Sequence, residues 1–368
     1  MLKLLFSSTH DANMLYRLRM RINDPFFYFE TAEKRHAILN ALEYETALEK
    51  SSGINLIPLE EVCASQSGTQ KRHKDIIEKI LAYILELEQS KTVQVPWNFP
   101  CQIVEKILKF KIKLEIKNDI FPQRKIKNSL EVKNIVQNIQ KNEAVFKKIE
   151  EVLADSIIKK DKIIYKNRVL TSESLKKICL KSFLDSGLED AEGLIISSGR
   201  QTGLAHHRGQ GPIAPNSPII VDLAPRSSEN FYFSDITRTF VKGQPDQTVL
   251  KLFDQVKEAQ EKAINSIKPG IPAQEIDQIT RKVFQKYRHT FTNQGFIHST
   301  GHGIGLEIHE KPNLSKKNRE ILREGNVFTV EPGLYYRKIG GVRLEDIVLV
   351  TKKGYKVLTN YSKKLIIK

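Results

Sequence analysis

The sequence predicts an α/β (α+β) chain of two domains, a small α/β domain over residues 1–128 and a larger one over residues 129–368. Three observations carry this. The length of 368 residues exceeds the roughly 100–200 residues usual for one domain. Before residue 128, short apolar runs alternate with helical patterns, as in an α/β unit. Beyond it, long helical patterns frame apolar strand-like runs, and residues 327–368 are strand-rich.

The elements follow in order. Met1-Leu2-Lys3-Leu4-Leu5-Phe6 reads as a first strand; its single charge and short apolar stretch, met at once by polar Ser7 to Asp11, do not make a signal peptide. Phe26-Phe27-Tyr28-Phe29 and Asn55-Leu56-Ile57-Pro58-Leu59 read as strands. His73 to Glu88 reads as a helix, because Ile76, Ile77, Ile80, Leu81, Ile84 and Leu85 recur at helical spacing. Leu108 to Ile120 is basic and apolar, and Pro122 ends it. Ser129 then suits an N-cap for a helix to Ala154, with Val132, Ile135, Ile139, Val145, Ile149 and Val152 as its apolar stripe. A helix over 171–186 precedes a strand, Gly193-Leu194-Ile195-Ile196, that ends in the turn Ser197-Ser198-Gly199. Residues 248–267 and 273–288 form a helix pair broken at Lys268-Pro269-Gly270.

Composition narrows the function classes. Hydrophobic residues make up 40% and charged residues 28% of the chain, an ordinary globular balance. No apolar run approaches the roughly 18–20 residues that span a bilayer. Cys63, Cys101 and Cys179 are scattered, without CxxC spacing, which excludes a sequence-visible zinc finger and points to reduced thiols in a cytoplasmic protein. The net charge is +16, yet the lysines are dispersed among apolar residues and no aromatic-interleaved basic motif occurs. A solvated lysine-rich surface is therefore expected, rather than a nucleic-acid or membrane site.

The chemistry concentrates between residues 206 and 345. His206, His207, His289, His298, His302 and His309 crowd one stretch of a chain with nine histidines. Asp222 ends the apolar run Pro218-Ile219-Ile220-Val221, where a carboxylate is costly unless paired or metal-bound. Asp235 lies in a second strand-like run, Phe231 to Phe240, and the turn formers Pro225 to Asn230 between them suggest a hairpin that sets Asp222 beside Asp235. The alternative is a pair of strand-end carboxylates that cap turns or pair with Arg238. Glu331 follows Val327-Phe328-Thr329-Val330. Glu345 lies in Val342 to Val350 after Gly340-Gly341, which suits a tight turn and a second hairpin. Alternation along that strand points Arg343 and Glu345 the same way. His298-Ser299-Thr300-Gly301-His302-Gly303-Ile304-Gly305-Leu306-Glu307-Ile308-His309 adds three histidines between glycines and a strand-like Leu306-Glu307-Ile308. Its glycines do not make a dinucleotide fingerprint. Four carboxylates and one histidine suit two divalent ions of the manganese, cobalt, zinc or iron type better than one tetrahedral zinc.

Val221-Asp222-Leu223, Ser234-Asp235-Ile236-Thr237-Arg238-Thr239, Gly301-His302-Gly303-Ile304-Gly305, Val330-Glu331-Pro332-Gly333 and Val342-Arg343-Leu344-Glu345-Asp346 together resemble the pita-bread metallopeptidases: aminopeptidase P, prolidase and methionine aminopeptidase. The resemblance spans residues 129–368 and implies a curved antiparallel sheet flanked by helices. It implies Asp222, Asp235, His302, Glu331 and Glu345 as ligands of two divalent ions, manganese foremost, with Asp235 and Glu345 bridging. It gives Glu331 the further role of general base. His206, rather than its neighbour His207, matches the histidine that contacts substrate near the scissile bond. His298 and His309 match those that flank the substrate carbonyl and proline, and Arg343 resembles an arginine of the proline-directed branch.

Residues 1–128 resemble the creatinase-type N-terminal domain more loosely, which favours the Xaa-Pro branch over methionine aminopeptidase. The resemblance implies short peptide substrates with proline in second position, and a homodimer. Ala224 stands where the family commonly has glycine, and the stretch from Leu223 to Asp235 is slightly long. The competing readings are a non-catalytic module that binds peptides or nucleic acid, and methionine aminopeptidase activity.

Overall fold

The computed structural model describes residues 1–50, 53–65 and 75–368. The chain divides into two compact units, Met1–Arg124 and Lys125–Lys368.

The first unit is built on a six-stranded sheet in the order Asn55–Pro58, Arg35–Leu39, Phe26–Glu30, Leu2–Ser7, Thr92–Pro96, Lys113–Lys117. The first hairpin pairings are antiparallel, and the outer strands join in parallel through helical crossovers. Alternation assigns Leu4, Phe27 and Phe29 to one apolar core and Leu5, Phe26 and Tyr28 to the other. A sheet covered on both faces needs no polar side, which is why Phe26 to Phe29 reads as a continuous apolar run. The helix expected from His73 spans Ile76–Glu88, capped by Asp75, whose side chain accepts from the Ile77 amide; His73 and Lys74 lie outside the described residues.

The second unit opens with the helix Ser129–Ala154. Its N-cap is Asn128 and not Ser129: Asn128 Oδ1 accepts from the Glu131 amide at 3.0 Å, and Glu131 returns a carboxylate oxygen to the Asn128 amide at 3.0 Å. This capping box satisfies two of the helix's free donors at once. The helix's buried stripe also carries polar Asn138 and Asn142. They donate to the carbonyls of Tyr232 and Leu223, both at 2.8 Å, and so pin the backbone that carries Asp222 and Asp235.

Three of the sheets of this unit frame the site. Ile195–Ser198, Ile219–Leu223, Ile236–Lys242 and Ile366–Ile367 form one; Glu310–Leu314, Gly301–Gly303, Val327–Val330, Asp346–Val350 and Tyr355–Val357 form the second; Gly333–Tyr336 and Gly340–Arg343 form a two-stranded ribbon. All their pairings are antiparallel except that of the short closing strand Ile366–Ile367. The helices Gln247–Asn265 and Ala273–Lys286 pack their apolar stripes on these sheets, through Val256, Ala259, Val283 and Phe284 against Leu334, Val342 and Leu344. This mixed architecture agrees with the fold class expected. Among the described residues, no helix is long and apolar enough to cross a membrane.

Four local expectations are corrected. The run Phe231 to Phe240 is not strand throughout. Phe231 takes φ 65°, its amide returns to the Ser227 carbonyl, and the strand begins only at Ile236. The segment between the aspartates is not a simple turn, because Arg226–Ser227 pairs with Leu188–Glu189. The run Val342 to Val350 breaks at Leu344-Glu345, its halves Gly340–Arg343 and Asp346–Val350 lying in different sheets, and the turn before it is 337–339. Gly340 and Gly341 already belong to the strand; Gly340 has φ 114°, and a Cβ on Gly341 would stand 2.2 Å from the Thr202 carbonyl oxygen. Finally, Leu306-Glu307-Ile308 is a bend and not a strand, because the Glu310 carboxylate draws in the amides of Leu306 and Glu307 at 2.9 and 3.1 Å.

Candidate metal centre

The site grows from strand ends. Ile219–Leu223 carries Asp222 one residue from its end, and antiparallel pairing sets Asp222 opposite Thr237 and Leu223 opposite Ile236, so Asp235 enters just before the neighbouring strand. Val327–Val330 delivers Glu331 at its end. The break between Gly340–Arg343 and Asp346–Val350 delivers Glu345. His302 is the central residue of Gly301–Gly303, where a Cβ on Gly301 would stand 1.9 Å from the Thr329 carbonyl oxygen. Only glycine permits that approach, and it draws the histidine strand against the strand of Glu331.

Among the described residues, Asp235, His302 and Glu345 offer ligand atoms that all lie within 4.8 Å of one another. His302 Nε2 is 3.6 Å from Asp235 Oδ2 and 3.4 Å from Glu331 Oε1. Asp222 belongs to the same field of charge, and its carboxylate is held by Arg343 Nη2 at 2.5 Å. The alternative pairing with Arg238 does not occur: Arg238 donates to Asp346 at 2.7 Å, away from both aspartates. Arg343 and Glu345 do face one space, although not through strand alternation. Thr237 Oγ1 links them, donating to Glu345 Oε2 at 2.7 Å and accepting from Arg343 Nε at 3.2 Å.

The electrostatics ask for a cation. Burial and the neighbouring carboxylates push Asp235 well above the usual carboxylate range, and burial followed by Glu345 does the same to Glu331. Burial and Asp222 raise Glu345 to about 8. Asp235 Oδ1 and Glu345 Oε1 are buried without a hydrogen-bond donor. Burial lowers His302 to about 3, so the ring is neutral and supplies no charge. With its Nδ1 proton donated to the Gly303 carbonyl at 3.1 Å, the Nε2 lone pair faces the carboxylate oxygens. Acceptors that face one another in a buried place are stable only around a proton or a metal ion. Carboxylate oxygens gathered beside one imidazole nitrogen suit a divalent ion.

The remaining predicted residues lie around this cluster. His309 is exposed and sets its ring edge-on to His302, with centroids 4.2 Å apart. His298 is half-buried, donates from Nδ1 to the Ser299 carbonyl at 2.7 Å, and faces the Tyr335 hydroxyl with Nε2 at 2.9 Å. Burial lowers it to about 4. His206 is exposed on a loop that Arg343 Nη1 holds through the Ala205 carbonyl at 3.2 Å. His207 accepts the Gly209 amide at 3.0 Å within that loop. His289 stands apart, between Tyr336 and Gln255 at 2.6 and 2.8 Å.

The sequence reading missed four neighbours. Tyr335 is fully buried and takes a hydrogen bond from Arg343 at 2.8 Å; burial pushes its hydroxyl up to about 12. Thr237, Gln260, which donates to the Val330 carbonyl at 2.9 Å, and Asp277 are the others. Tyr335 was within reach, four residues beyond Glu331. The other three are single polar residues in apolar patterns, whose partners only the fold supplies.

The family model described as metallopeptidase family M24 matches residues 134–352. A curated relative, an Xaa-Pro dipeptidase of Pyrococcus horikoshii, is 33% identical over 341 residues, covering 91% of this chain and 87% of that protein. Among solved structures, the prolidase from Pyrococcus horikoshii OT3 superposes with a TM-score of 0.81 at 29% identity, over 99% of this chain and 95% of that one. An Xaa-Pro dipeptidase from Bacillus anthracis shares the fold, with a TM-score of 0.83 at 24% identity over 100% of this chain and 95% of that one.

Proposed function

This chain belongs to metallopeptidase family M24, and from that membership we infer that it hydrolyses the peptide bond between an N-terminal residue and a following proline. The observation that carries the reading is the cluster of Asp235, His302 and Glu345, two of whose buried carboxylate oxygens have no donor. Divalent ions are the cofactor; bound there, they would supply the Lewis acidity that lowers the pKa of a water and polarises a carbonyl. Asp222, Asp235, His302, Glu331 and Glu345 would hold them, with manganese as the favoured ion for so oxygen-rich a set.

The chain's own groups do the rest. The Glu331 carboxylate, 3.4 Å from His302 Nε2, takes the proton of the attacking water. Arg343 offsets the charge of Asp222 and joins Tyr335 and His298 in one hydrogen-bonded row beside the carboxylates. His309, His298 and His206 receive the substrate, and a histidine N–H aimed at the carbonyl oxygen stabilises the charge that develops there. Both His298 nitrogens already have protein partners, so its donation requires exchange with Tyr335. Residues 1–128 are read as the creatinase-type domain, which favours the Xaa-Pro branch over methionine aminopeptidase. Dipeptides are the favoured substrates, and a cytoplasmic homodimer is part of the same reading.

The test is turnover of Xaa-Pro dipeptides, Xaa-Pro tripeptides and Met-Ala peptides by protein reconstituted with manganese or stripped with chelator. Expected is metal-dependent release of the first residue from Xaa-Pro dipeptides, absent in Glu331→Ala. Faster cleavage of Met-Ala would move the chain to the methionine branch. Silence with manganese, cobalt, zinc and iron in a folded protein would remove the peptidase reading and leave a binding module.

A further inference from the structure

The segment 298–302 has no long strand to hold it, yet it carries two site histidines. Beside its backbone bonds, such as that of the Thr300 amide to the Leu314 carbonyl at 3.0 Å, it is held from one face of the helix Ala273–Lys286. Asp277 is fully buried. Its Oδ1 accepts both the amide and the hydroxyl of Thr300, at 3.1 and 3.0 Å. Its Oδ2 accepts Nε of Arg281, one helical turn on, at 2.6 Å. The Arg281 guanidinium then donates from Nη2 to the His298 carbonyl at 3.1 Å and lies over the Phe296 ring, 4.8 Å from its centroid. Thr300 in turn passes the constraint on, because its carbonyl accepts the Glu331 amide at 2.8 Å.

We propose that Asp277 and Arg281 are positioning residues that clamp the segment 298–302 and, through Thr300, set where His302 and Glu331 stand. Neither side chain belongs to the ligand or substrate-contacting set proposed above. Their spacing of four puts both on one helical face. A buried carboxylate with three donors, one of them charged, is a rigid anchor, and its loss leaves the Thr300 hydroxyl and Arg281 without their partner. A helix is stiffer than a loop, so the anchor lends that stiffness to a segment of which only Gly301 and His302 lie in strand. The inference rests on the metallopeptidase reading above.

The experiment compares the full chain with Asp277→Ala, Asp277→Asn and Thr300→Val, measuring Mn2+ affinity by calorimetric titration, and kcat and KM on an Xaa-Pro dipeptide. Supporting ligands of metal sites govern affinity by about 10–100-fold, and misplacement of catalytic groups by about 1 Å costs about 100-fold. Asp277→Ala should therefore weaken Mn2+ binding about 10-fold and lower kcat about 100-fold, with KM within about threefold. Asp277→Asn keeps an oxygen for Thr300 and should recover at least about 10-fold of that kcat. Thr300→Val removes only the hydroxyl link and should lower kcat by about 3- to 10-fold. A folded Asp277→Ala with parental affinity and kcat overturns the clamp, as does Asp277→Asn no better than Asp277→Ala. Should Asp277→Ala not fold, parental values in Thr300→Val overturn it. An active parent with unaffected variants defeats the clamp alone. A parent that neither binds Mn2+ nor turns over defeats the peptidase reading and the clamp with it.

Discussion

Stripping the metal should make the stability of this protein fall as pH rises from 7 to 8, the reverse of what salt-bridged carboxylates do. Glu345 is raised from an ordinary 4.5 to about 8 by burial and by Asp222. Between those values the folded chain keeps a proton that the unfolded chain has released. Stability from this group is therefore complete below pH 4.5 and drains away as pH rises through about 8. Each pH unit inside the window costs roughly 1.4 kcal/mol when the folded group is fully protonated. From pH 7 to 8, with the group half ionised at the end, the loss is about 1 kcal/mol.

Asp235 and Glu331 are raised in the same direction and add to it. His298 and His302 act oppositely. Their folded values, about 4 and about 3, lie below the ordinary 6.5, so their contribution is present above pH 6.5 and lost as pH falls. Between pH 7 and 8 they are nearly flat, which is why that interval isolates the carboxylates. In a unit of this size, 1 kcal/mol corresponds to roughly 2–4 °C in Tm. The assay is thermal and urea unfolding of chelator-treated protein at both pH values, beside protein saturated with Mn2+. Bound metal keeps the carboxylates ionised in the folded state, so the fall should vanish. Stripped protein equally or more stable at pH 8 would refute the reasoning.

Three further outcomes follow from named contacts. Lys127 and Glu310 form a buried ion pair at 2.8 Å, with side chains 2% and 5% exposed; Lys127→Met should cost about 3–5 kcal/mol in urea unfolding, and adding Glu310→Gln should restore most of it. Asn142→Ala should cost about 1–3 kcal/mol by the same measurement, because the Leu223 carbonyl loses its buried donor. Arg343→Lys should lower kcat/KM at least about 100-fold, since one ammonium cannot reach Asp222, Tyr335, Thr237 and the Ala205 carbonyl together; a loss under about threefold would deny Arg343 its place in the site.

Much of the architecture was legible because periodicity is local. The helix from residue 129 to Ala154 and the pair after residue 247 announced themselves by apolar spacing. The acids were legible for another reason: Asp222 and Glu331 adjoin runs too apolar for a charge, and that conflict signals a site whatever the fold. Where the reading erred, a side-chain bond or a sheet pairing that apolar spacing does not encode decided. Asn128 displaced Ser129 as the cap because Glu131 answered it. Leu306 to Ile308 bent because Glu310 gathers their amides, and Val342 to Val350 broke because its halves serve two sheets.

The sequence by itself determined which residue types could hold metal, their order along the chain and the family to which they belong, because these depend on identity and spacing. Only the tertiary structure decided which carboxylates share one buried space, that Arg343 rather than Arg238 answers Asp222, that His302 turns Nε2 to the acids, and that Asp277 and Arg281 brace the strand that bears it. Such facts are distances between residues far apart in the chain, and burial sets their strength. No local pattern contains them, because a charge learns its partner, its solvent and its pKa only once the chain has closed around it.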